Sequence, residues 1–499
     1  MKKLFKSIIV LAAAVAICFA CEKPENPDNN SNTNPEEQAE RQANLSALKY
    51  LTEDIMSQYY YWYNQMQSVE YSYKTDIYKY FDKILYRKDH WSWMMDGQEY
   101  IADESGVVSG SYGASFSQLH DPVDNSIILD YNVMVRYVYP NSPFDKAGIK
   151  RGWIINKIDG KSVQDYWLAD NYSLNQFNEL LSYPSTTISH TFEFIDSEEN
   201  VYTKQVVAAE TLNTRPCLVK KIFTAEDYPG LTEPVGYYHY LSFKADDDIN
   251  GKSMLDDISE PMQYFKEHNV KTLIVDLRYN GGGDSRASDL LVSYLAPHSA
   301  DGQIYVKRTH NNKLRSEDKE QVVTCAADSP EFEHLYFITG KGSASASEMS
   351  LNGLKPLADV THVGGVTYGK PNGMYVFLYP SDRKSEAQYS NGDYSRLKYV
   401  FLPICFYNAN GLGQNIPDEG MTPDNIRPDD LYHDFDASED NIAACLYNIV
   451  NGGFPKVPER ASIGTKASHS MDNTPRMKFL NKEDYDKNYG SYIVKPDFL

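Results

Sequence analysis

Two glycine-rich turns follow the two most apolar stretches of the sequence, and each could do chemistry. The first is Asp276-Leu-Arg-Tyr-Asn-Gly-Gly-Gly283. Glycines there let backbone N–H groups face outward with no Cβ in the way, which suits a phosphate or an oxyanion. The spacing is not the G-x-G-x-x-G of a dinucleotide loop, and a plain tight turn has the same composition. The second is Gly340-Lys-Gly-Ser-Ala-Ser-Ala-Ser-Glu348. It is no phosphate loop, because Gly342 follows Lys341 where Ser or Thr is needed, and no glycine stands five residues before Gly340. What remains is a serine cluster on a strand-to-helix turn. A hydroxyl there sits at a helix N-terminus, where free N–H groups and the dipole stabilise developing negative charge. Simple helix capping also favours serine, so the base must decide.

No H-E-x-x-H pair is present, which gives no metal site to argue from, and no metal or organic cofactor is implied. His239, in mid-strand, reads as a satisfied core or surface histidine. Lys370, in Val366-Thr-Tyr-Gly-Lys-Pro-Asn-Gly373, follows Ser345 by 25 residues. Ser–Lys pairs are a known form of the activated serine. Such a lysine must be neutral to accept a proton, so its site has to pull its pKa well below ~10.4.

The elements that must position these residues come in four stretches. Residues 44–104 have helical spacing (Leu45, Leu48, Leu51, Ile55, Tyr59, then Ile77, Phe81, Ile84, Leu85) and an aromatic stripe, which predicts a small helical domain. Residues 105–208 carry short strand-like runs broken by Pro140-Asn-Ser-Pro143 and closed by an Asp159-Gly160 turn. Residues 209–455 alternate strand and helix, with Lys271-Thr-Leu-Ile-Val-Asp-Leu277 apolar enough to be covered on both faces, so an α/β core is expected. Residues 456–499 are polar and weakly patterned.

The chain of 499 residues has 48 Lys+Arg against 69 Asp+Glu and a net charge of −21, which leaves no electrostatic footprint for nucleic acid. Its first twenty residues read as a secretory signal: Lys2, Lys3 and Lys6, then an apolar run from Ile8 to Ala20 too short to span a membrane. Residues 21–43 hold almost nothing to bury and read as a disordered tether. Cys217, Cys325, Cys405 and Cys445 form no C-x-x-C pair. A disulfide and buried free thiols are both open.

Three resemblances add to this reading. Ala20-Cys21 is similar to a bacterial lipoprotein cleavage box, which implies a lipid on Cys21 and a place in the cell envelope, anchored to a membrane; plain secretion is the alternative. The run from Ser142 to Gly160 resembles the PDZ pattern, with Tyr112-Gly-Ala-Ser-Phe116 as the candidate carboxylate loop. Gly113, Ala114 and Phe116 would then receive an apolar C-terminal tail. Together with the two glycine turns, Tyr368-Gly-Lys370 and Gly420-Met-Thr-Pro-Asp424, the chain resembles the carboxyl-terminal processing peptidases. That resemblance implies a serine peptidase core of mixed sheet and covering helices, similar to the crotonase and Clp-protease folds, plus a PDZ domain. It implies Ser345 as nucleophile, Lys370 as base, and an oxyanion hole from Ala346 with Gly282 or Gly283. The substrates would be unfolded or C-terminally exposed proteins and peptides. Two positions depart from the family: Pro356 stands where some members have Asp, and Met374 where many have the Gln that orients the lysine. A catalytically silent peptide-binding module is the alternative; an enoyl-CoA-type catalyst would have no use for a PDZ domain.

Overall fold

The computed structural model describes residues 34–118, 133–170, 175–380 and 394–456. The signal segment, Cys21, the strand-like run at 126–132 and nearly all of 456–499 lie outside the described residues. Those present form two compact units.

The smaller unit joins the described residues up to Ile101 with Thr309–Asp318 and Gly373–Phe406. A helix over Pro35–Lys49 runs on as a wider π-type turn over Tyr50–Met56, and a second helix spans Ile77–Ile84. Residues 35–43 are therefore helical and not part of a tether. Asn34 caps the Glu36 N–H at 3.0 Å, Pro35 takes the first turn, and Glu36 and Glu37 face the positive end of the dipole. The helical domain expected over 44–104 also contains a strand, Trp93–Asp96, in an antiparallel sheet with Leu397–Leu402 and Phe377–Pro380. Those two partner strands belong to this unit and not to the α/β core, because Tyr379 and Phe401 pack into the cluster of Leu48, Leu51, Ile55 and Phe81.

The larger unit holds a small sheet and the α/β core. The small sheet is antiparallel throughout, in the order β1 (Ala114–Gln118), β2 (Val133–Val138), β3 (Ile154–Ile158), β4 (Ser189–Ile195), β5 (Val201–Val207). Helices α1 (Val163–Ala169) and α2 (Asn175–Ser182) accompany it, and Phe144, Trp153, Ile155, Phe177, Phe192 and Phe194 fill its core. A ribbon of Val107–Ser111 with Ala209–Asn213 carries the chain in and out.

The core sheet runs β6 (Cys217–Phe223), β7 (Val235–Tyr240), β8 (Thr272–Asp276), β9 (His334–Thr339), β10 (Val360–Gly364) and β11 (Asn425–Ile426), parallel except for β6 with β7. Between the parallel strands come α3 (Asp256–Glu267), α4 (Ser285–Leu295) and α5 (Ala346–Leu354); α6 (Asp440–Asn451) follows β11. Strand alternation sorts the two faces. Leu273, Val275, Leu335 and Phe337 pack with Ile258, Met262, Leu291 and Leu351 of α3, α4 and α5. Ile274, Tyr336 and Ile338 pack with Ile442, Cys445 and Leu446 of α6. Burial on both faces explains the unbroken apolar run of β8. None of the four cysteines is paired; Cys405 and Cys445 are buried thiols.

Candidate active site

Both glycine-rich turns leave the carboxyl ends of neighbouring parallel strands, β8 and β9, the edge where open α/β sheets carry their ligands. They are laced together. Ala344 N–H donates to the Asn280 carbonyl at 3.1 Å, and the Ser343 hydroxyl donates to the Leu277 carbonyl at 2.7 Å while accepting from Gly340 N–H at 3.1 Å. The Ser347 hydroxyl donates to the Asn280 carbonyl at 2.8 Å.

The three serines are thereby sorted. Ser343 and Ser347 are buried with their hydroxyls spent on the first turn, whereas Ser345 is half-buried and its Oγ donates to no carbonyl among the described residues. Ser345 also has φ +54 and ψ −111, a conformation costly for any residue with a side chain. The strain is held by what surrounds it: Ser345 N–H donates to Glu348 at 3.0 Å, and Met349 N–H to the Ser345 carbonyl at 2.8 Å.

Glu348 is fully buried and does more than cap. Its two oxygens accept from Ser345 N–H, from Gly369 N–H and Lys370 N–H at 2.8 Å each, and from the Thr367 hydroxyl. Burial pushes its carboxyl up from the usual range, and these four donors pull back without cancelling that. One carboxylate thus ties the turn bearing Ser345 to the loop bearing Lys370. The loop is fixed from its other side as well. Gly369 has φ +92, and a Cβ there would lie 2.1 Å from the Asp418 carbonyl oxygen; Met421 N–H donates to Thr367 Oγ1 at 2.7 Å. Residues 418–421, at the head of the Gly420-Met-Thr-Pro-Asp424 motif, are the wall against which the lysine loop rests.

Gly282 faces the strained serine. A Cβ on it would lie 2.8 Å from Ser345 Cβ and 3.0 Å from Ala346 N, so only glycine leaves room there. Its own N–H donates to Asn280 Oδ1 at 2.9 Å and its carbonyl accepts from Phe243 N–H at 2.9 Å. Gly283 (φ +133) is pinned against Phe243 in a parallel bridge, and Asp284 N–H donates to the Phe243 carbonyl at 2.7 Å. The N–H groups of Gly283 and of Ala346, the first residue of α5, have no acceptor among the described residues.

Beneath the first turn lies a buried charged network. Arg278 Nε donates to both oxygens of Asp276 at 3.0 Å, and its fork reaches Asp429 at 2.9 Å and both oxygens of Glu439. Burial pushes the Asp276 carboxyl up, but the adjacent Arg278 guanidinium outweighs it and holds the group below its usual range. Arg151, from the small-sheet region, joins through Tyr279 Oη at 2.8 Å and the Asp430 carbonyl at 2.6 Å. His239 lies against Phe435 in this cluster, fully buried with Nε2 unpaired, so it is a core residue but not a satisfied one.

Sequence reasoning named Ser345, Lys370, Ala346, Gly282 and Gly283, and these five come together. It gave no role to Glu348, Asn280 or Phe243. The Ser345-x-x-Glu348 capping pattern was the available signal for the first; nothing local marks the other two. Gly113, Ala114 and Phe116 lie on the small sheet, apart from this cluster. Gly113 has φ +74 as a tight loop requires, but its N–H donates to Ser111 Oγ at 3.0 Å and its carbonyl accepts from Tyr139 N–H at 2.8 Å. Phe116, expected to flank a pocket, is buried against Phe144 in the small-sheet core. Among the described residues, no group of His, Cys, Asp and Glu side chains is arranged to hold a metal ion.

Residues 234–400 match the model of peptidase family S41, and residues 53–93 match that of the peptidase S41 N-terminal domain. Among solved structures, the chain is similar to a Bacteroides fragilis protein assigned to the S41 proteases, at 19% identity and TM-score 0.62 over 79% of this chain and 96% of that one. At that identity the likeness establishes a shared mixed α/β fold. Weaker similarity, at TM-score 0.42, reaches the photosystem II D1 C-terminal processing protease (18% identity, 78% and 93% covered) and mature CPAF (13% identity, 83% and 98% covered). Residues 234–400 are a peptidase domain of family S41, preceded by that family's N-terminal domain, and the chain is a serine-type peptidase.

Proposed function

We propose that the chain is an endopeptidase with Ser345 as nucleophile and Lys370 as general base. The observation that carries this reading is Glu348, whose single buried carboxylate bonds the N–H groups of both residues. Neutral Lys370 takes the proton of Ser345 Oγ as that oxygen attacks the scissile carbonyl carbon. The Ala346 and Gly283 N–H groups receive the oxyanion, and Gly282 supplies room rather than a donor, since its own N–H is committed to Asn280. Collapse breaks the C–N bond, the lysine ammonium returns its proton to the leaving amine, and water then cleaves the acyl-enzyme by the same route. The thioether of Met374 cannot orient a lysine as a glutamine would; Glu348 compensates by gripping the backbone at Gly369 and Lys370.

The small sheet is read as a PDZ domain whose edge strand β1 takes a substrate's C-terminal tail as an added strand. A terminal carboxylate at the Tyr112–Phe116 loop competes with Ser111 Oγ for the Gly113 N–H. Free, apolar tails are the preferred substrates. Lipid attachment at Cys21, holding the enzyme on a bacterial envelope membrane, completes the reading; Cys21→Ser should release it from membranes, and a wild type already free in the medium would favour plain secretion.

The test is to incubate the wild type, Ser345→Ala and Lys370→Arg with unfolded proteins carrying free or amidated C-termini and to map products by mass spectrometry. Both variants should fold and lose at least ~10³-fold in activity, because alanine has no nucleophile and guanidinium stays protonated. An active arginine variant would remove lysine as the base. Equal cleavage of free and amidated tails would remove tail recognition and leave the peptidase intact.

A further inference from the structure

Two residues after Lys370 stands a buried amide with nothing to hold. Asn372 is 2% exposed, and neither its Oδ1 nor its Nδ2 has a hydrogen-bond partner among the described residues. An amide side chain carries two donor hydrogens and two acceptor lone pairs, and burying all of them unmatched is costly. Asn213 and Asn441 each leave a buried amide oxygen unbonded while the nitrogen is engaged. Asn372 leaves both ends. Such a group calls for a role.

The chain fixes which way the amide faces. Asn372 opens a strand, Asn372–Met374, and a Cβ on the next residue, Gly373, would lie 2.2 Å from the Phe406 ring. Side chains alternate along a strand, so Asn372 takes the side opposite to that ring. Pro371 keeps the residue before it extended, which carries the alternation back to Lys370. Lys370 and Asn372 therefore share a side, with Cα atoms roughly 7 Å apart along the strand direction. The four-carbon stem of a lysine covers that span. The backbone between them is anchored, by Lys370 N–H to Glu348 at 2.8 Å and by Asn408 N–H to the Pro371 carbonyl at 2.9 Å. Two charged side chains grip this loop, and both take its backbone. Glu348 accepts from the Gly369 and Lys370 N–H groups, and Lys341 Nζ donates to the Thr367 carbonyl at 2.9 Å and the Glu419 carbonyl at 3.1 Å.

We propose that Asn372 is a positioning residue for Lys370: its Oδ1 accepts from the lysine Nζ and turns the amine towards Ser345 Oγ. The inference rests on the reading of Lys370 as general base. Once that lysine has taken the serine proton it has three donors and no acceptor. A neutral amide oxygen matches one of them without the charge that would hold the amine protonated before the reaction begins. A carboxylate in the same place would supply that charge and block the base. The amide is unpartnered in the resting enzyme, which fits a hydrogen bond that tightens only when substrate is in place. Capacity left unmet at rest is then used in the transition state, so Asn372 costs stability and contributes to rate.

The experiment sets melting temperature against the kinetics of a short peptide substrate, using the full chain. Asn372→Leu keeps nearly the same shape without polar atoms. It should melt at or above the wild-type temperature, because an unmatched amide is gone, yet lose ~10–100-fold in kcat with little change in KM. Hydrolysis rises as Lys370 loses its proton, and that rise should come at lower pH in the leucine variant, whose ammonium form lacks an acceptor. Asn372→Asp should move the rise the other way, by about one pH unit or more. A lower melting temperature with unchanged kcat and pH profile would make Asn372 a structural amide and overturn the proposal. If the leucine variant is recovered unfolded, the aspartate variant decides: a shift to higher pH supports the role, and an unshifted profile overturns it. Lys370→Arg separates this inference from the reading beneath it. An active arginine variant removes the base and the role of Asn372 with it, whereas an inactive one beside a leucine variant of wild-type kcat and profile overturns the role of Asn372 alone.

Discussion

The turn that carries Ser345 and the loop that carries Gly113 are both glycine-containing bends beside a strand, with serines to hand in each. They differ in where their backbone hydrogen bonds go. At Ser345 the neighbouring hydroxyls of Ser343 and Ser347 and the side chain of Asn280 satisfy the turn from within, and the Ala346 and Gly283 N–H groups are left without an acceptor among the described residues. At Gly113 a serine takes the N–H group itself, and the carbonyl is used by Tyr139. The first turn is preorganised for an incoming charge, whereas at the second a ligand has to displace Ser111 Oγ from the Gly113 N–H. A glycine-rich stretch becomes a site when its neighbours satisfy everything except the groups the ligand needs.

The most damaging way to break this contrast is to fill the space at Gly282. A methyl group there would press on Ser345 Cβ and Ala346 N, and φ +107 suits no other residue well. Gly282→Ala should lower kcat by ~10²–10³-fold, the cost of spoiling an oxyanion site, with a smaller change in KM. Peptide hydrolysis within a few-fold of the wild type would separate this turn from catalysis.

Glu348→Gln comes next. The amide keeps the shape but places an NH₂ against donors that need an acceptor, so two of the four, either Thr367 with Gly369 or Ser345 with Lys370, lose their acceptor. We expect ~10–100-fold lower kcat, and a shift of the pH–rate profile because the loop of the base is loosened. A drop in melting temperature with an unchanged profile would reduce Glu348 to a cap. By contrast Gly113→Ala should act on stability. Its Cβ would lie 2.1 Å from Ser142 Cβ, which predicts a loss of ~1–3 kcal/mol by chemical denaturation while folded enzyme still cuts short peptides at the wild-type rate. A lowered rate on short peptides would couple the two regions.

How much of this was legible in sequence follows the range of the forces involved. The β8 and β9 strands, the helix after Asp284 and the turn at Ser345 are set by local pattern, and they lie where the periodicity puts them. The strands at 377–380 and 397–402 are expected from the sequence in the α/β core; they fall in the smaller unit because Leu397–Leu402 pairs with Trp93–Asp96, more than 300 residues back along the chain, and Phe377–Pro380 pairs in turn with Leu397–Leu402. The polar composition of residues 35–43 hides a helix that only its capping and charge placement, Asn34-Pro35-Glu36-Glu37, mark in the sequence. Gly113 could be read as a glycine-permitted bend, but whether Ser111 or a ligand holds its N–H group is a matter of tertiary geometry alone.

Acid gives the gentlest test, and it sets the core against the small sheet. His239 and His362 are both fully buried in the core; burial is the main cause that pushes each down to about 4, and each has one ring nitrogen without a partner. The small sheet has no fully buried histidine among the described residues. A histidine whose folded pKa lies below its unfolded value binds its proton mainly on unfolding. Stability is therefore unaffected well above pH ~6.5 and falls as pH drops from there towards 4, by up to about 1.4 kcal/mol per pH unit for each such histidine. Hydrogen exchange measured by mass spectrometry should show β8, β9 and β10 losing protection over that window faster than β3, β4 and β5. His239→Phe should flatten the slope for the core strands by about half, since it removes one of the two proton sinks. Parallel loss in both sheets would show that acid acts through the surface charge of the whole chain, and not through these two histidines.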